Sequence, residues 1–154
     1  MSVNLLDEKI SIKAGSSLVD LSPEIPFNSN NIDFISELSK SIIKSKTFNN
    51  SVDLISFAFW ARKNNLLNLK KKNLNLQNFK IGRGIIFHLP PSNVPINFIY
   101  SFCIGLIAGN SNIVKLPKKN FIVVNSLISI INDLFKKKKY KSVKSRNSFI
   151  KYDS

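Results

Sequence analysis

The sequence predicts an α/β fold: a mainly helical collar followed by an incomplete parallel-sheet unit. Two observations carry this prediction. Between Gly84 and Tyr152, short apolar runs bounded by Gly or Pro alternate with segments of helical periodicity, in the order strand, helix, strand, helix, strand. Ahead of Lys80, the apolar residues recur mainly at three- and four-residue spacing, the period of amphipathic helices. The expected division is therefore a collar over residues 1–80 and a partial α/β unit over 81–154.

In chain order, Val3, Leu5, Ile10 and Ile12 interleave with polar residues, which predicts one or two short strands in Val3 to Lys13. Pro23 and Pro26 mark a loop, and the asparagines of 28–31 offer side-chain acceptors for a helix start. Ile32, Ile35, Leu38 and Ile42 then form one apolar helical face ending near Lys46. Ser51 is placed to cap a second helix carrying Val52, Ile55 and Phe59. Leu66 to Phe79, rich in Lys and Asn, reads as a short helical turn and an exposed connection.

Beyond Lys80 the pattern changes. Ile85-Ile86-Phe87 reads as a buried strand. Pro90, Pro91 and Pro95 remove backbone donors, so the segment around Asn93 is neither helix nor central strand. Ile96 to Ala108 is apolar nearly all round, as a buried helix is, and Gly109-Asn110 supplies a left-handed stop. Asn112 to Leu116 is a second strand, closed by Pro117. Asn120 to about Lys137 carries Val124, Leu127, Ile128, Ile131 and Leu134 on one helical face. The lysines of 136–139 follow at its negative dipole end. Ser148 to Tyr152 is the third strand. A sheet of so few parallel strands is expected to leave apolar surface and an open edge.

The 154 residues suffice for one domain with a real core, and 44% hydrophobic content argues against general disorder. The net charge of +14 rests almost wholly on lysines in an Asn- and Ile-rich background. No zinc spacing, recognition-helix motif or aromatic–Arg interleaving accompanies that charge, so a nucleic-acid partner is not the expectation. The single cysteine, Cys103, excludes an intrachain disulfide and fits a reducing compartment. The N-terminus lacks the apolar core of a secretory signal. The unbroken apolar run Ile96 to Ala108 is shorter than the ~20 residues of a membrane-spanning helix, so a cytoplasmic protein without a transmembrane segment is expected.

Chemistry concentrates between Gly82 and Asn120. Ligands of open α/β sheets bind outside the carboxyl ends of strands, and both Asn93 and Lys115 fall at or just past such ends. Prolines on either side of Asn93 would hold its amide as a preorganised donor. Lys115 and Lys118 could meet a phosphate or ribose as point charges. The plain alternative is a structural turn beside a solvated charge run. Cys103 reads as a small buried hydrophobe and His88 as a structural residue at a strand end. Gly82-x-Gly84 lacks the third glycine and following helix of a dinucleotide fingerprint.

The run GRGIIFHLPPSNVP, the helix after it, and GLIAGNSNIVKLP together resemble the cofactor-binding region of the aldehyde dehydrogenase superfamily. With DLISFAFWARKNNLL (Asp53 to Leu67), the resemblance narrows to fatty acyl-CoA reductases of the bioluminescence (LuxC) type. It implies a Rossmann-like cofactor unit and reduction of long-chain fatty acyl-CoA to aldehyde. Asn93 matches the oxyanion donor, and Lys115 matches the residue touching the adenosine ribose or its phosphate. Aldehyde dehydrogenases at large carry Lys-Pro-Ser-Glu where this chain has Lys115-Leu116-Pro117-Lys118. An ammonium replacing the carboxylate favours a 2′-phosphate, hence NADPH over NADH.

The family's nucleophilic cysteine falls in a later segment that this chain does not contain, so the resemblance makes the chain a fragment, inactive in isolation. A second polypeptide could supply the missing catalytic half. The alternatives are a non-catalytic nucleotide-binding remnant or interaction module, and a basic protein for nucleic acid or a membrane surface.

Overall fold

The computed structural model describes residues 1–74, 80–91, 93–94 and 96–152. Strands β1 (Ser2–Asn4), β2 (Ile10–Gly15) and β3 (Leu18–Asp20) open the chain, followed by helices α1 (Ser29–Lys44), α2 (Val52–Trp60) and α3 (Lys63–Asn73). Strand β4 (Ile85–His88), helix α4 (Asn97–Ile107), strand β5 (Ser111–Lys115), helix α5 (Ile122–Phe135), helix α6 (Lys141–Ser145) and strand β6 (Asn147–Tyr152) complete it.

The architecture is mixed α/β. Strands β4, β5 and β6 run parallel, as alternating strands and helices require, but β2 joins β6 antiparallel, giving the order β2-β6-β5-β4. The strands expected in Val3 to Lys13 are present, and one of them lies in the same sheet as β4 to β6. β2 extends the sheet, while β1 and β3 pair antiparallel into a separate ribbon. Period-two alternation of so short a segment marks it as strand and cannot say which strand it joins.

Side-chain alternation divides the sheet into two faces. On one, Ala14, Val114 and Phe149 pack in the main core with Phe98 and Phe102 of α4 and Leu127 and Ile131 of α5. Ring contacts tie this core together, with Phe102 and Phe149 centroids 4.8 Å apart and Phe34 of α1 stacked 5.4 Å from Phe135. On the other face, Ile113 and Ile150 meet Leu5 and Val19 from the β1–β3 ribbon. Phe87 and Ile85 belong to this face by register, since Phe87 lies opposite Ile113. The ribbon does not bury them: Ile85 is 39% and Phe87 47% exposed. The expectation of a buried strand is corrected here, because an apolar run specifies a strand and leaves its position in the sheet open.

The helices follow local chemistry with three departures. The Asn28 side chain accepts from the Asn30 amide at 2.8 Å and starts α1. Ser51 makes no side-chain cap on α2. The Lys- and Asn-rich stretch is an eleven-residue helix, α3, longer than the single turn expected. One buried leucine, Leu66, anchors it, and residues 75–79, the rest of the expected connection, lie outside the described residues. The lysines after α5 serve a tertiary purpose: Lys137 and Lys139 both ion-pair with Glu37 of α1. Partial burial pushes the Glu37 carboxyl up, but hydrogen bonds from the two ammonium groups outweigh it and hold the group at about 2.

Candidate functional site

β4 and β5 are parallel neighbours with His88 opposite Val114, so the chain leaves both strands at the same edge of the sheet. Asn93 is exposed in the turn that follows β4. Within that turn Val94 donates its amide to the Pro91 carbonyl at 3.4 Å, and Asn97 donates to the Val94 carbonyl at 3.1 Å, folding the segment onto the start of α4. Ser92 and Pro95, the second of the prolines flanking Asn93, lie outside the described residues. Lys115 ends β5, half-buried, with Nζ 4.2 Å from the centroid of the Tyr152 ring on β6. Lys118 is exposed in the β5–α5 connection. A cavity of about 770 Å³ opens beside this connection and is lined by Leu116, Asn120 and Lys151 together with residues of β2 and α5.

Under the C-terminal part of α4, a buried polar chain crosses three strands. His88 Nε2 lies 2.9 Å from Asn112 Oδ1, Asn112 Nδ2 donates to Asn147 Oδ1 at 2.7 Å, and Asn147 Nδ2 donates to the Val143 carbonyl at 2.5 Å. Read from its far end, the chain assigns the proton. Both asparagine amides already donate, so Asn112 Oδ1 must accept and His88 Nε2 must carry hydrogen. Burial lowers the His88 pKa, and the hydrogen bond to Asn112 opposes that only in part. Helix α4 closes over this chain at Gly105, where a Cβ would stand 2.1 Å from Asn112 Oδ1. Sequence reading placed His88 here and missed Asn112 and Asn147. The available signal was an asparagine inside or heading an apolar strand, which is costly to bury without partners.

Cys103 is fully buried in α4, and burial drives its thiol pKa far above the ordinary value. It is a packed side chain and no nucleophile in this conformation. Among the described residues, no cluster of three His, Cys, Asp or Glu side chains could hold a metal, and no helix is long and apolar enough to cross a membrane. Gly109, with φ +81°, provides the left-handed turn between α4 and β5 that the Gly-Asn pair predicts.

This is an α/β protein in which two adjacent parallel strands deliver a polar turn and a lysine to one edge of the sheet. A sequence model of the acyl-CoA reductase (LuxC) family matches residues 36–153. The chain belongs to the LuxC acyl-CoA reductase family, which implies an acyl-CoA substrate and a nicotinamide cofactor. No curated protein and no solved structure matches it.

Proposed function

We propose that the chain supplies the cofactor-side wall of an NADPH-dependent, long-chain fatty acyl-CoA reductase of Rossmann-like, aldehyde-dehydrogenase-type architecture. In this reading residues 1–80 form the collar and 81–154 the front of the cofactor unit. One observation supports it above the others: the strands preceding Asn93 and ending in Lys115 are parallel neighbours whose carboxyl ends share one sheet edge.

The residues present fit the group. The connection Leu116 to Phe121 contains two lysines and no carboxylate, so its charge suits a phosphorylated ribose better than a free one. Lys115 and Lys118 would hold the phosphate-bearing end of the cofactor. When bound, the reduced nicotinamide supplies the hydride. Asn93, through its amide, would donate to the oxygen that gains charge as the thioester is attacked. The attacking thiolate is not Cys103, and we assign it to polypeptide outside residues 1–154, in the same cytoplasmic compartment.

Cofactor binding tests the reading directly. Calorimetric titration should give tighter binding of NADPH than of NADH, and Lys115→Ala should weaken NADPH by roughly tenfold, the loss of one charge-assisted contact. Preference for NADH, or indifference to Lys115→Ala, overturns the cofactor assignment. In an assembly that turns over, Asn93→Ala should lower kcat on the order of 100-fold. An unchanged rate removes Asn93 from the site. A nucleotide-binding module without catalysis is the second reading, favoured by the burial of Cys103. NADPH binding with no acyl-CoA reduction in any reconstituted assembly would select it.

A further inference from the structure

Where α1 meets the junction of α2 and α3 lies a cavity of about 590 Å³. Its size falls within the roughly 300–1,000 Å³ of small-molecule sites. Ser36, Lys40 and Lys44, spaced four apart on α1, line one wall, and Phe59, Arg62 and Lys63 line the other. The cavity shares no residue with the Asn93 turn or with the larger cavity beside Leu116. No carboxylate lines it. Lys63 is neutralised by Asp33 at 2.6 Å, whereas Lys40, Lys44 and Arg62 have no ion-pair partner among the described residues.

Helix α3 starts at this cavity without a side-chain cap. Arg62 holds the capping position and makes no capping hydrogen bond, so the amides of Lys63, Asn64 and Asn65 have no acceptor within the helix. The Arg62 guanidinium lies over the Phe59 ring, 3.9 Å from its centroid, which holds its fork of N–H donors at the wall. Ser36 is the independent sign. It is 3% exposed and lines the same cavity, yet its hydroxyl has no hydrogen-bond partner among the described residues. Its neighbour Ser39 spends its own hydroxyl on the Ala58 carbonyl at 2.6 Å. A buried hydroxyl is costly to leave unmatched, and a ligand oxygen in the cavity would match it.

We propose that this cavity binds a small organic phosphomonoester. Arg62, Lys40 and the amides opening α3 hold its phosphate, and the Ser36 hydroxyl donates to a phosphate oxygen. The donors decide the group: they converge from two helices, and a tetrahedral dianion offers each of them an oxygen at the positive end of a helix. The cavity is larger than a bare phosphate, and the exposed Phe59 and Ile43 give an organic substituent an apolar wall.

Phenyl phosphate, titrated at physiological salt, should shift the backbone amide resonances of Lys63, Asn64 and Asn65 saturably. Inorganic phosphate should bind there roughly tenfold more weakly. Arg62→Asp places a capping carboxylate at the start of α3 and should abolish binding while the thermal midpoint holds or rises, which separates loss of the site from loss of the fold. Ser36→Ala should weaken phenyl phosphate by about tenfold, the worth of one hydrogen bond to a charged group. Lys137→Ala removes a lysine paired with Glu37 and should change nothing. Lys115→Ala should also have no effect, which keeps this result independent of the cofactor reading. The inference is overturned by shifts that do not saturate, by equal affinity for inorganic phosphate, or by unchanged binding in Ser36→Ala. Equal weakening in Lys137→Ala would overturn it too, since net charge alone would then attract the anion.

Discussion

The two outer strands of the sheet are finished differently. On the β2 side, the pairing with β6 shifts register between Ile12 and Ala14, and Asn132 of α5 donates to the Lys13 carbonyl at 2.8 Å. A bulge, a capped carbonyl and an exposed lysine are the devices by which natural sheets refuse another strand. On the β4 side the four paired residues run without irregularity, and no described residue pairs with the far edge. Ile85 and Phe87 stand half-exposed there. The β2 edge is closed chemically, whereas the β4 edge is held only from within, through His88, Asn112 and Asn147. The sheet is thus built to end on one side and to remain receptive on the other.

Breaking the inner support gives the largest expected effect. Asn112→Ala strips His88 and Asn147 of their shared partner and should cost about 3 kcal/mol, the sum over two buried unsatisfied groups. Urea denaturation measures it, and hydrogen exchange should show the β4 amides loosening before those of β2. Uniform loosening would mean the polar chain holds the whole sheet and not one edge. A smaller effect is expected from Phe87→Lys, which places a charge on the receptive strand. Self-association in sedimentation should fall several-fold, with stability within about 0.5 kcal/mol of wild type. On the closed side, Asn132→Ala uncaps one carbonyl and should cost about 1 kcal/mol. If it raises self-association as well, the cap is what seals that edge.

Acid should separate the regions without mutation. His88 has a folded pKa below its ordinary 6.5, so the stability it contributes is present above that value and is lost as pH falls toward the folded pKa. Glu37, held at about 2 against an ordinary 4.5, keeps its contribution above 4.5 and loses it only as pH falls toward 2. The β4 side should therefore weaken first, and the tie from α1 to Lys137 and Lys139 later. Glu37→Gln should remove the second step and leave the first. Glu37 and its lysine partners sit near the surface, so the second step is small and shrinks with added salt, whereas the first arises from the burial of His88.

Much of this was legible along the chain. The parallel strands, α1, α4, α5, the buried Cys103 and the Gly109 stop follow from periodicity and turn chemistry, which act within a few residues. The open edge was foreseeable from the number of strands. The antiparallel β2, the exposure of Ile85 and Phe87, the Glu37 ion pairs and the asparagine chain were not. Each of these joins residues far apart in sequence: Asn112 meets Asn147 over 35 positions, and Glu37 meets Lys137 over 100. For the candidate site, the residue types at Asn93 and Lys115 were visible. That their strands lie side by side was an inference from strand order.

By itself, the sequence determined the order of the main helices and strands, which of the helix faces are apolar, and the family to which the chain belongs. Tertiary structure alone decided which strand stands at an edge, which polar groups satisfy one another in the interior, and where Ser36, Phe59 and Arg62 converge around a hollow. The physical reason is range. Backbone propensity and side-chain period are local, whereas burial and hydrogen-bond satisfaction depend on whatever distant segment the fold brings alongside.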